Sequence, residues 1–313
     1  MKTLLLLGGF GFIGTNIMKF AEKFGQNYNF VVFDRFPSHM DGIQFENIVK
    51  VYTGDFSDKY LLNSIFSENQ IDVVLHSLSS SVPSSSVDNV FDLQCNVIPT
   101  INLLDIMIKH NVKNLAFISS GGAIYGDVYM HKDGHCESDA LYPKSAYGIS
   151  KLTIEKYLFL YHELYGLNSY IFRLSNPYGP YHYSQKQGVV NIALEKALRG
   201  QTLEIWGDGK DCKDYIYIED FCKILSKLIK DEFQGYHVLN VGSGTLLSVN
   251  QIVSTIRNKY VQSFKTQYIR TNSLDVKSFK LDLAKLSSLI GDFSFTSFEE
   301  GLDKTYSWYK FRG

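Results

Sequence analysis

The chain has 313 residues, 45% of them hydrophobic, and a formal net charge of −1. This length predicts about two domains or one large α/β unit, and the small charge argues against nucleic acid or a membrane surface as a partner. The apolar run Leu4–Leu7 is short and glycines follow it, so we expect neither a signal peptide nor a membrane span. The four cysteines show no C-x-x-C spacing, which is typical of reduced thiols in a cytoplasmic protein.

Apolar runs of strand length alternate with longer amphipathic stretches through the first half of the chain. The predicted strands are Leu4–Leu7, Phe30–Phe33, Val49–Tyr52, Val73–Leu75, Leu115–Ile118 and Ser169–Phe172. The predicted helices between them include Ile13–Phe24, Leu61–Glu68 and Val97–His110. Such βα alternation predicts an α/β fold with a Rossmann-like, doubly wound parallel sheet.

The pattern becomes less regular after about residue 175. Strands are predicted there at Tyr215–Ile218 and His237–Asn240, and helices at Gly188–Arg199, Glu219–Lys230, Val249–Lys259 and Glu299–Tyr309. We therefore expect a dinucleotide-binding domain over residues 1–174, with a return segment near 213–240. A smaller substrate-binding α/β part is expected over residues 175–212 and 241–313.

The segment LLLLGGFGFIG carries overlapping glycine motifs at the end of the first strand. Gly9, Gly11 and Gly14 fit G-x-G-x-x-G, and Gly8, Gly11 and Gly14 fit G-x-x-G-x-x-G. Glycines permit a tight turn and a close approach of the backbone to a pyrophosphate at the start of the next helix. A glycine turn without a ligand is the plainer interpretation. The acid Asp34 at the end of the second strand favours a dinucleotide instead.

Asp34 and its neighbour Arg35 bear on which dinucleotide would bind. A carboxylate at position 34 can accept hydrogen bonds from a ribose and repels a 2′-phosphate, which favours NAD over NADP. Arg35 is the opposing signal, because an arginine can hold a 2′-phosphate. An acid and an aromatic residue, Asp55 and Phe56, follow the third strand and could flank an adenine. His76 ends the fourth strand, where such sheets place ligands, but alone it is explained equally well as a core histidine.

Tyr147 and Lys151 stand four residues apart in a helical stretch, so they share a face of that helix. An ammonium group near a phenol is expected to stabilise the phenolate and lower the pKa of the phenol. That would make Tyr147 a general base for a sugar hydroxyl near neutral pH. The alternative is a surface tyrosine beside a lysine, since the chain has 21 tyrosines and the pair is common by chance.

Taken in order, these motifs resemble the extended short-chain dehydrogenases/reductases that act on nucleotide sugars, the NAD-dependent epimerase/dehydratase family. The resemblance covers essentially the whole chain and is closest to UDP-hexose 4-epimerases. It rests on the segments GGFGFIG, TGDFSD, DVVLHSLSS, ISSGGAIYG, SAYGISK, RLSNPYGP, IWGDGKDCKDYIYIEDF and NVGSGTLLSV.

The resemblance implies NAD as the cofactor and a UDP-hexose as the substrate, with no metal ion. In 4-epimerases the tyrosine takes the proton from the sugar O4 while hydride passes from C4 to NAD, and the hydride returns to the other face of a 4-keto intermediate. The implied catalytic residues are Tyr147, Lys151 and Ser120. The implied cofactor residues are Gly8, Gly11, Phe12, Ile13, Gly14, Asp34, Arg35, Asp55, Phe56, Leu78, Ser79, Tyr147 and Lys151. The implied substrate residues are Ser81, Gly121, Asn176, Val190, Lys213, Arg270, Asp275 and Phe279.

The segment from Ser120 to Ala123 departs from the family. In many of these epimerases the residue matching Gly121 is a serine or threonine that bridges the sugar O4 and the tyrosine. Here Ser120, Ser119 or a water molecule would have to replace that hydroxyl. Family members that carry out 4,6-dehydration have an Asp–Glu pair matching Gly122 and Ala123, and the related decarboxylases keep the glutamate. The missing acids therefore disfavour both reactions.

The implied diphosphate and sugar residues also depart from the family. Lys213 stands where an arginine is usual, which keeps the charge but loses the bidentate geometry. Asn272 stands where a second arginine is usual, and Arg270 is the nearest replacement. Phe279 stands at a gate position, where a large aromatic residue resembles the members restricted to glucose and galactose. We therefore expect UDP-glucose and UDP-galactose, with the N-acetylated pair and a lipid diphosphate carrier left open.

The helix in KLTIEKYLFLYHELYG is apolar around most of its circumference, which predicts a covering partner on a second face. Family members often dimerise through this helix and the one near Val97–His110, so we expect a homodimer. The alternative is that a loop or the C-terminal part covers that face.

Three classes of function stay open. The first is a 4-epimerase, the second is a 4-keto-sugar reductase or a dehydratase, and the third is a catalytically silent NAD-binding protein. The intact Tyr147–Lys151 pair argues against the third class.

Overall fold

The structure is a computed structural model that describes residues 1–35, 43–80, 89–126, 134–230, 234–270 and 278–312. Two compact units make up the chain. Unit 1 comprises Met1–Ser120, Ser145–Arg173 and Cys222–Leu239. Unit 2 comprises Gly121–Lys144, Leu174–Phe221 and Asn240–Gly313.

The described residues form strands and helices that are numbered separately here, each in chain order. The strands are β1 (Lys2–Leu7), β2 (Tyr28–Asp34), β3 (Ile48–Thr53), β4 (Val73–His76), β5 (Asn114–Ser120), β6 (Asn168–Leu174), β7 (Asn176–Tyr178), β8 (Leu203–Trp206), β9 (Cys212–Tyr217), β10 (Tyr236–Val241), β11 (Leu246–Ser248) and β12 (Thr266–Ile269). The helices are α1 (Phe12–Lys23), α2 (Lys59–Glu68), α3 (Asn89–Asp92), α4 (Ile98–Lys109), α5 (Gly121–Ile124), α6 (Ala146–Tyr165), α7 (Val189–Leu198), α8 (Ile218–Lys230), α9 (Val249–Lys259), α10 (Ala284–Ile290) and α11 (Phe298–Arg312). A π-helical turn, Leu93–Val97, joins α3 to α4.

Unit 1 is built on a seven-stranded sheet in the order β10-β6-β5-β4-β1-β2-β3. β1 pairs in parallel with both β2 and β4, and β4 pairs in parallel with β5. The inner strands are almost entirely buried, which explains why they are continuous apolar runs without polar alternation. The strand order reverses next to β1, and ligands of such sheets bind at the carboxyl ends of the strands at this point.

Helix α6 has clear start and stop signals. The Ser145 hydroxyl accepts a hydrogen bond from the Gly148 N–H, 3.2 Å, which caps the first turn. Gly166 ends the helix in the left-handed conformation, with φ +66°, which glycine adopts without strain. Tyr147 therefore lies in the first turn of α6, at a position fixed by the cap.

Unit 2 contains a three-stranded sheet, β11-β9-β7, and a two-stranded parallel sheet, β12-β8. β9 pairs in parallel with β7 and antiparallel with β11. A hydrophobic core within unit 2 packs these strands against α7 and α9, and Leu194, Ile205 and Ile256 are among its buried residues.

The predicted doubly wound parallel sheet is confirmed. All six strands predicted in the first half are present, each extended by one to three residues, and the helix Val249–Lys259 has the predicted bounds. The sequence prediction missed β7, β8, β11 and β12, which are three or four residues long and too short for a periodic signal. Among the helices of the described ranges, none is long and apolar enough to cross a membrane.

Candidate active site

The glycine segment forms a tight loop between β1 and α1 in unit 1. Gly8 has φ +79°, and its N–H donates to the Phe33 carbonyl, 2.8 Å. The Gly11 N–H donates to the Gly8 carbonyl, 3.1 Å. A Cβ on Gly14 would lie 2.4 Å from the Gly9 oxygen, so only glycine allows α1 to start this close to the loop.

The start of α1 fits the pyrophosphate of a dinucleotide. Gly11 is the N-cap residue, and Phe12 and Ile13 follow it in the first turn, both partly buried. In the described part of the chain no side chain caps this helix, and no acidic residue lies in its first turn. The positive end of the helix dipole therefore favours an anion at this position.

Asp34 and Arg35 have different surroundings at the end of β2. The Asp34 carboxylate accepts a hydrogen bond from the Phe10 N–H, 2.9 Å, which fixes it beside the glycine loop. Arg35 forms a half-exposed ion pair with Asp55. The hydrogen bonds from Ser57, followed by the charge of Arg35, hold the pKa of the Asp55 carboxyl below its usual value. The charge of Arg35 is thus partly neutralised within the protein.

The other predicted cofactor residues of unit 1 are placed as follows. The Phe56 ring is buried in the core, with its centroid 5.2 Å from that of His76. Leu78 lies directly against Gly8, since a Cβ on that glycine would be 3.0 Å from its Cδ2. Ser79 is exposed. Ser81 lies outside the described residues, as do Asn272 and Asp275.

His76 is a buried core histidine, in keeping with the plainer of its two interpretations. Its Nε2 is 2.9 Å from the Thr100 hydroxyl, while its Nδ1 has no partner among the described residues. Burial, and then the charge of Lys151, lowers the pKa of His76 to about 3. His76 is therefore neutral at physiological pH.

Tyr147, Ser120 and Lys151 meet in unit 1, where the carboxyl end of β5 packs against α6. The side chains of Ser120 and Tyr147 are hydrogen-bonded to each other. The Lys151 Nζ lies 5.8 Å from the centroid of the Tyr147 ring and 4.7 Å from that of Phe117. It donates a hydrogen bond to the Ile118 carbonyl, 2.8 Å, and Lys151 is only 5% exposed.

The expected lowering of the tyrosine pKa is not found. Burial raises the pKa of Tyr147 to about 12, against a lowering by the Ser120 hydrogen bond and a further raising by the Asp92 charge. Burial also lowers the pKa of Lys151 to about 8, and the Glu155 carboxylate opposes that shift. The lysine charge alone would lower the pKa of the phenol, but the desolvation of both groups dominates in the folded chain.

The two serines before Gly121 have separate partners. Ser119 is buried, and its hydroxyl donates to Glu155 Oε1, 2.5 Å. Ser120 is the one bonded to Tyr147. Of the side chains named as replacements for a hydroxyl at position 121, Ser120 is therefore the one that contacts the tyrosine.

Three predicted substrate residues lie on neighbouring strand segments of unit 2. The Asn176 amide donates to the Asp214 carbonyl, 2.8 Å, and Asn176 pairs with Tyr215 in the β7–β9 ladder. Lys213 forms a parallel bridge with Phe279. Asn176, Lys213 and Phe279 thus lie on adjacent strand segments around the start of β9. This set suits a polar, anionic ligand with an apolar or sugar portion.

The other predicted substrate residues of unit 2 are placed differently. Val190 is buried in the core formed with α7, and Arg270 is exposed directly after β12. Gly121 is buried at the start of α5.

Gly122, which the sequence analysis singled out only for a missing acid, packs against Phe279. A Cβ on Gly122 would lie 2.8 Å from Cε1 and 2.9 Å from Cζ of the Phe279 ring. Phe279 is 3% exposed. The ring thus fills the space that any side chain at position 122 would need.

Glu155 and Arg173, which the sequence did not predict as site residues, form a buried group with Ser119. Arg173 Nη2 is 2.8 Å from Glu155 Oε2, and both residues are almost wholly buried. The available signal was an acid four residues after Lys151 on the same helix face, and an arginine directly after the predicted apolar run Ser169–Phe172.

A model of the NAD dependent epimerase/dehydratase family matches residues 4–242. The chain belongs to this family of enzymes. Its cofactor is NAD, as the sequence predicted, and the glycine loop, the start of α1 and Asp34 fit that group.

Similar proteins cover the whole length of the chain. A relative from Methanocaldococcus jannaschii, whose provisional name is UDP-glucose 4-epimerase, is 32% identical over 98% of both chains. The crystal structure of a UDP-glucose 4-epimerase from Thermotoga maritima with UDP-glucose has a TM-score of 0.89 and 30% identity over 99% of both chains. A dTDP-glucose 4,6-dehydratase from Haemophilus influenzae is 25% identical over 99% of this chain and 98% of its own. These similarities agree with membership of the family, but the similar proteins are named for two different reactions, 4-epimerisation and 4,6-dehydration.

Proposed function

We propose that the protein is a nucleotide-sugar 4-epimerase that interconverts UDP-glucose and UDP-galactose through a 4-keto intermediate. The observation that carries the proposal is the Ser120–Tyr147–Lys151 arrangement in a chain that has glycine and alanine at positions 122 and 123. The full-length similarity to proteins named UDP-glucose 4-epimerase supports it.

NAD, held by the glycine loop, the start of α1 and Asp34, would supply the group that accepts the C4 hydrogen and gives it back. Asp34 would accept hydrogen bonds from the adenosine ribose. Because Arg35 is already paired with Asp55, it offers little charge to a 2′-phosphate. Lys151 would also bind the nicotinamide ribose, as the resemblance implies. We further propose that unit 1 binds the cofactor and that unit 2 binds the nucleotide sugar.

Tyr147 would act on the proton of the sugar O4. With a pKa of about 12, its phenol is protonated near neutral pH, which suits the step in which a carbonyl oxygen receives a proton. In the opposite step the phenolate must be stabilised. The Ser120 hydroxyl can donate to it, and Lys151, with a pKa of about 8, is mostly protonated near pH 7.

The residues around the start of β9 would bind the nucleotide sugar. Lys213 would neutralise a diphosphate oxygen and Asn176 would hydrogen-bond the diphosphate. The buried ring of Phe279 would limit the space beside the sugar, which favours glucose and galactose over their N-acetylated forms.

A dehydratase is the main alternative, since such an enzyme is among the relatives. Elimination from the sugar needs an acid and a base in addition to Tyr147. The resemblance places that pair at positions 122 and 123, where this chain has glycine and alanine. The ring of Phe279 also leaves no room for a carboxylate at position 122. Both observations favour the epimerase.

We also propose that the protein is a cytoplasmic homodimer. Helix α6 buries Ile154, Leu158 and Tyr161 against unit 1. Its opposite face leaves large apolar side chains exposed, and so do α3, α4 and the turn between them. These exposed residues are Ile149, Phe159, Leu160, Leu164, Tyr165, Val90, Phe91, Leu93 and Ile98. A second copy would cover these exposed apolar side chains.

The experiment is to incubate the purified protein separately with UDP-glucose, UDP-galactose, UDP-GlcNAc and UDP-GalNAc, without and with added NAD. Chromatography then separates the C4 epimers. Interconversion of the glucose pair, lost in Tyr147→Phe, is the expected result. No conversion of any pair by a folded, NAD-bound protein would contradict the proposal. Formation of a 4-keto-6-deoxy sugar would indicate the dehydratase instead.

A further inference from the structure

Three consecutive residues of β5 each hold one residue of α6. The Ile118 carbonyl accepts a hydrogen bond from Lys151, 2.8 Å. The Ser119 hydroxyl donates to Glu155, 2.5 Å, and the Ser120 side chain is hydrogen-bonded to that of Tyr147. Lys151 and Glu155 are at i and i+4 on α6, so they share one face of that helix.

The middle contact is part of a buried ionic group. Glu155 is 1% exposed and Arg173 is 3% exposed. Arg173 Nη2 lies 2.8 Å from Glu155 Oε2, and Arg173 Nε lies 3.3 Å from each carboxylate oxygen. Burying such a pair costs desolvation energy that its attraction often fails to repay, so stability alone is a weak reason for its presence.

The groups that face Lys151 define its electrostatic surroundings. From α6 these are Glu155 and the neutral phenol of Tyr147. From β5 and β4 they are the Phe117 ring and the neutral His76. Glu155 is the carboxylate that favours the charged form of Lys151, against the burial that disfavours it.

We propose that Glu155 is a positioning residue for the Tyr147–Lys151 pair. Its carboxylate, fixed by Ser119 and Arg173, keeps the buried Lys151 protonated and holds the end of β5 in register with α6. The catalytic consequence of this role rests on the proposed function, but the effect on Lys151 does not.

The test compares three variants with the wild-type protein. Glu155→Gln leaves Arg173 buried without its partner, which is strongly destabilising. The double variant Glu155→Gln/Arg173→Met removes both charges and is the main test, because neutral replacement of a buried pair is commonly tolerated. Glu155→Asp keeps the charge, and Glu163→Gln removes one exposed charge from the same helix as a matched control.

The primary readout is the titration of Lys151 itself. The protein is made with 13C-labelled lysine, the Lys151 Cε resonance is assigned with Lys151→Met, and its shift is followed against pH by NMR. In the double variant we expect the Lys151 midpoint to fall, because the Glu155 carboxylate favours the ammonium form and the Arg173 charge, which is removed with it, is not among the influences on the pKa of Lys151. Glu155→Asp should keep most of the wild-type midpoint, and Glu163→Gln should keep all of it.

The second readout is the pH profile of kcat for UDP-glucose epimerisation. Its alkaline limb should move to lower pH by the same amount as the Lys151 midpoint, with little change in KM. An unchanged Lys151 midpoint in the folded double variant would overturn the proposal, and so would an equal fall in Glu155→Asp. A shifted midpoint without any sugar conversion would refute only the proposed function.

Discussion

The contact between Gly122 and Phe279 predicts that Gly122→Ala destabilises unit 2. The new Cβ would lie 2.8 Å from the ring, so the ring or the backbone must move by about 0.6 Å to reach the 3.4 Å of an ordinary contact. The ring cannot swing into solvent, because Phe279 is 3% exposed and its N–H is bonded to the Cys212 carbonyl, 3.2 Å.

The size of the effect follows from two opposing terms. Overpacking a buried position costs about 1–3 kcal/mol. Gly122 lies in α5, a helical backbone that alanine adopts readily, so restricting the unfolded chain returns about 0.4–1 kcal/mol. We expect a net loss of about 1–2 kcal/mol in the free energy of unfolding.

Urea unfolding followed by tryptophan fluorescence measures this loss. The chain has two tryptophans, Trp206 and Trp308, and both lie in unit 2 with the altered contact. The control is the same substitution in a Phe279→Ala background, where the ring is absent. There Gly122→Ala should be neutral or stabilising by about 0.4–1 kcal/mol. Equal effects in both backgrounds, within about 0.5 kcal/mol, would refute the packing argument.

Further predictions concern catalysis, the cofactor and assembly. Ser120→Ala should raise the pKa of Tyr147, because the hydrogen bond from Ser120 lowers that pKa. The phenolate then becomes rarer, so kcat near neutral pH should fall, and an unchanged kcat would exclude Ser120 as the partner of the reacting phenol. Asp34→Asn should weaken NAD binding about tenfold, because a charged acceptor for the ribose is lost, and should change NADP binding less. Calorimetry measures both affinities, and equal losses for both cofactors would contradict that role of Asp34. Leu164→Glu places a charge on the exposed face of α6 and should convert the dimer into monomers, which light scattering measures. A wild-type protein that is already monomeric at micromolar concentration would refute the dimer.

The sequence predicted those parts of the molecule that depend on neighbours in the chain. The glycine loop, the acid at the end of β2 and the Tyr147–Lys151 spacing are local patterns, because each is set by a strand end or by one turn of a helix. The buried strands were found for the same reason, since an apolar run is a local signal.

The remainder depends on residues that are distant in sequence. The ring that fills the space beside Gly122 comes from Phe279, and no spacing rule joins the two. Glu155 pairs with Arg173 only after β6 and α6 have packed. The pKa of Tyr147 was predicted in the wrong direction because burial, a tertiary property, outweighs the neighbouring lysine.

The central claim is that the protein inverts C4 of a UDP-hexose and returns the same hydrogen to that carbon. The most direct measurement is a proton NMR time course of UDP-galactose with the purified protein in D2O. We predict that UDP-glucose accumulates with protium retained at C4, C5 and C6, and that Tyr147→Phe forms none. Deuterium at any of these carbons, or no epimer from a folded protein with NAD bound, would contradict the claim.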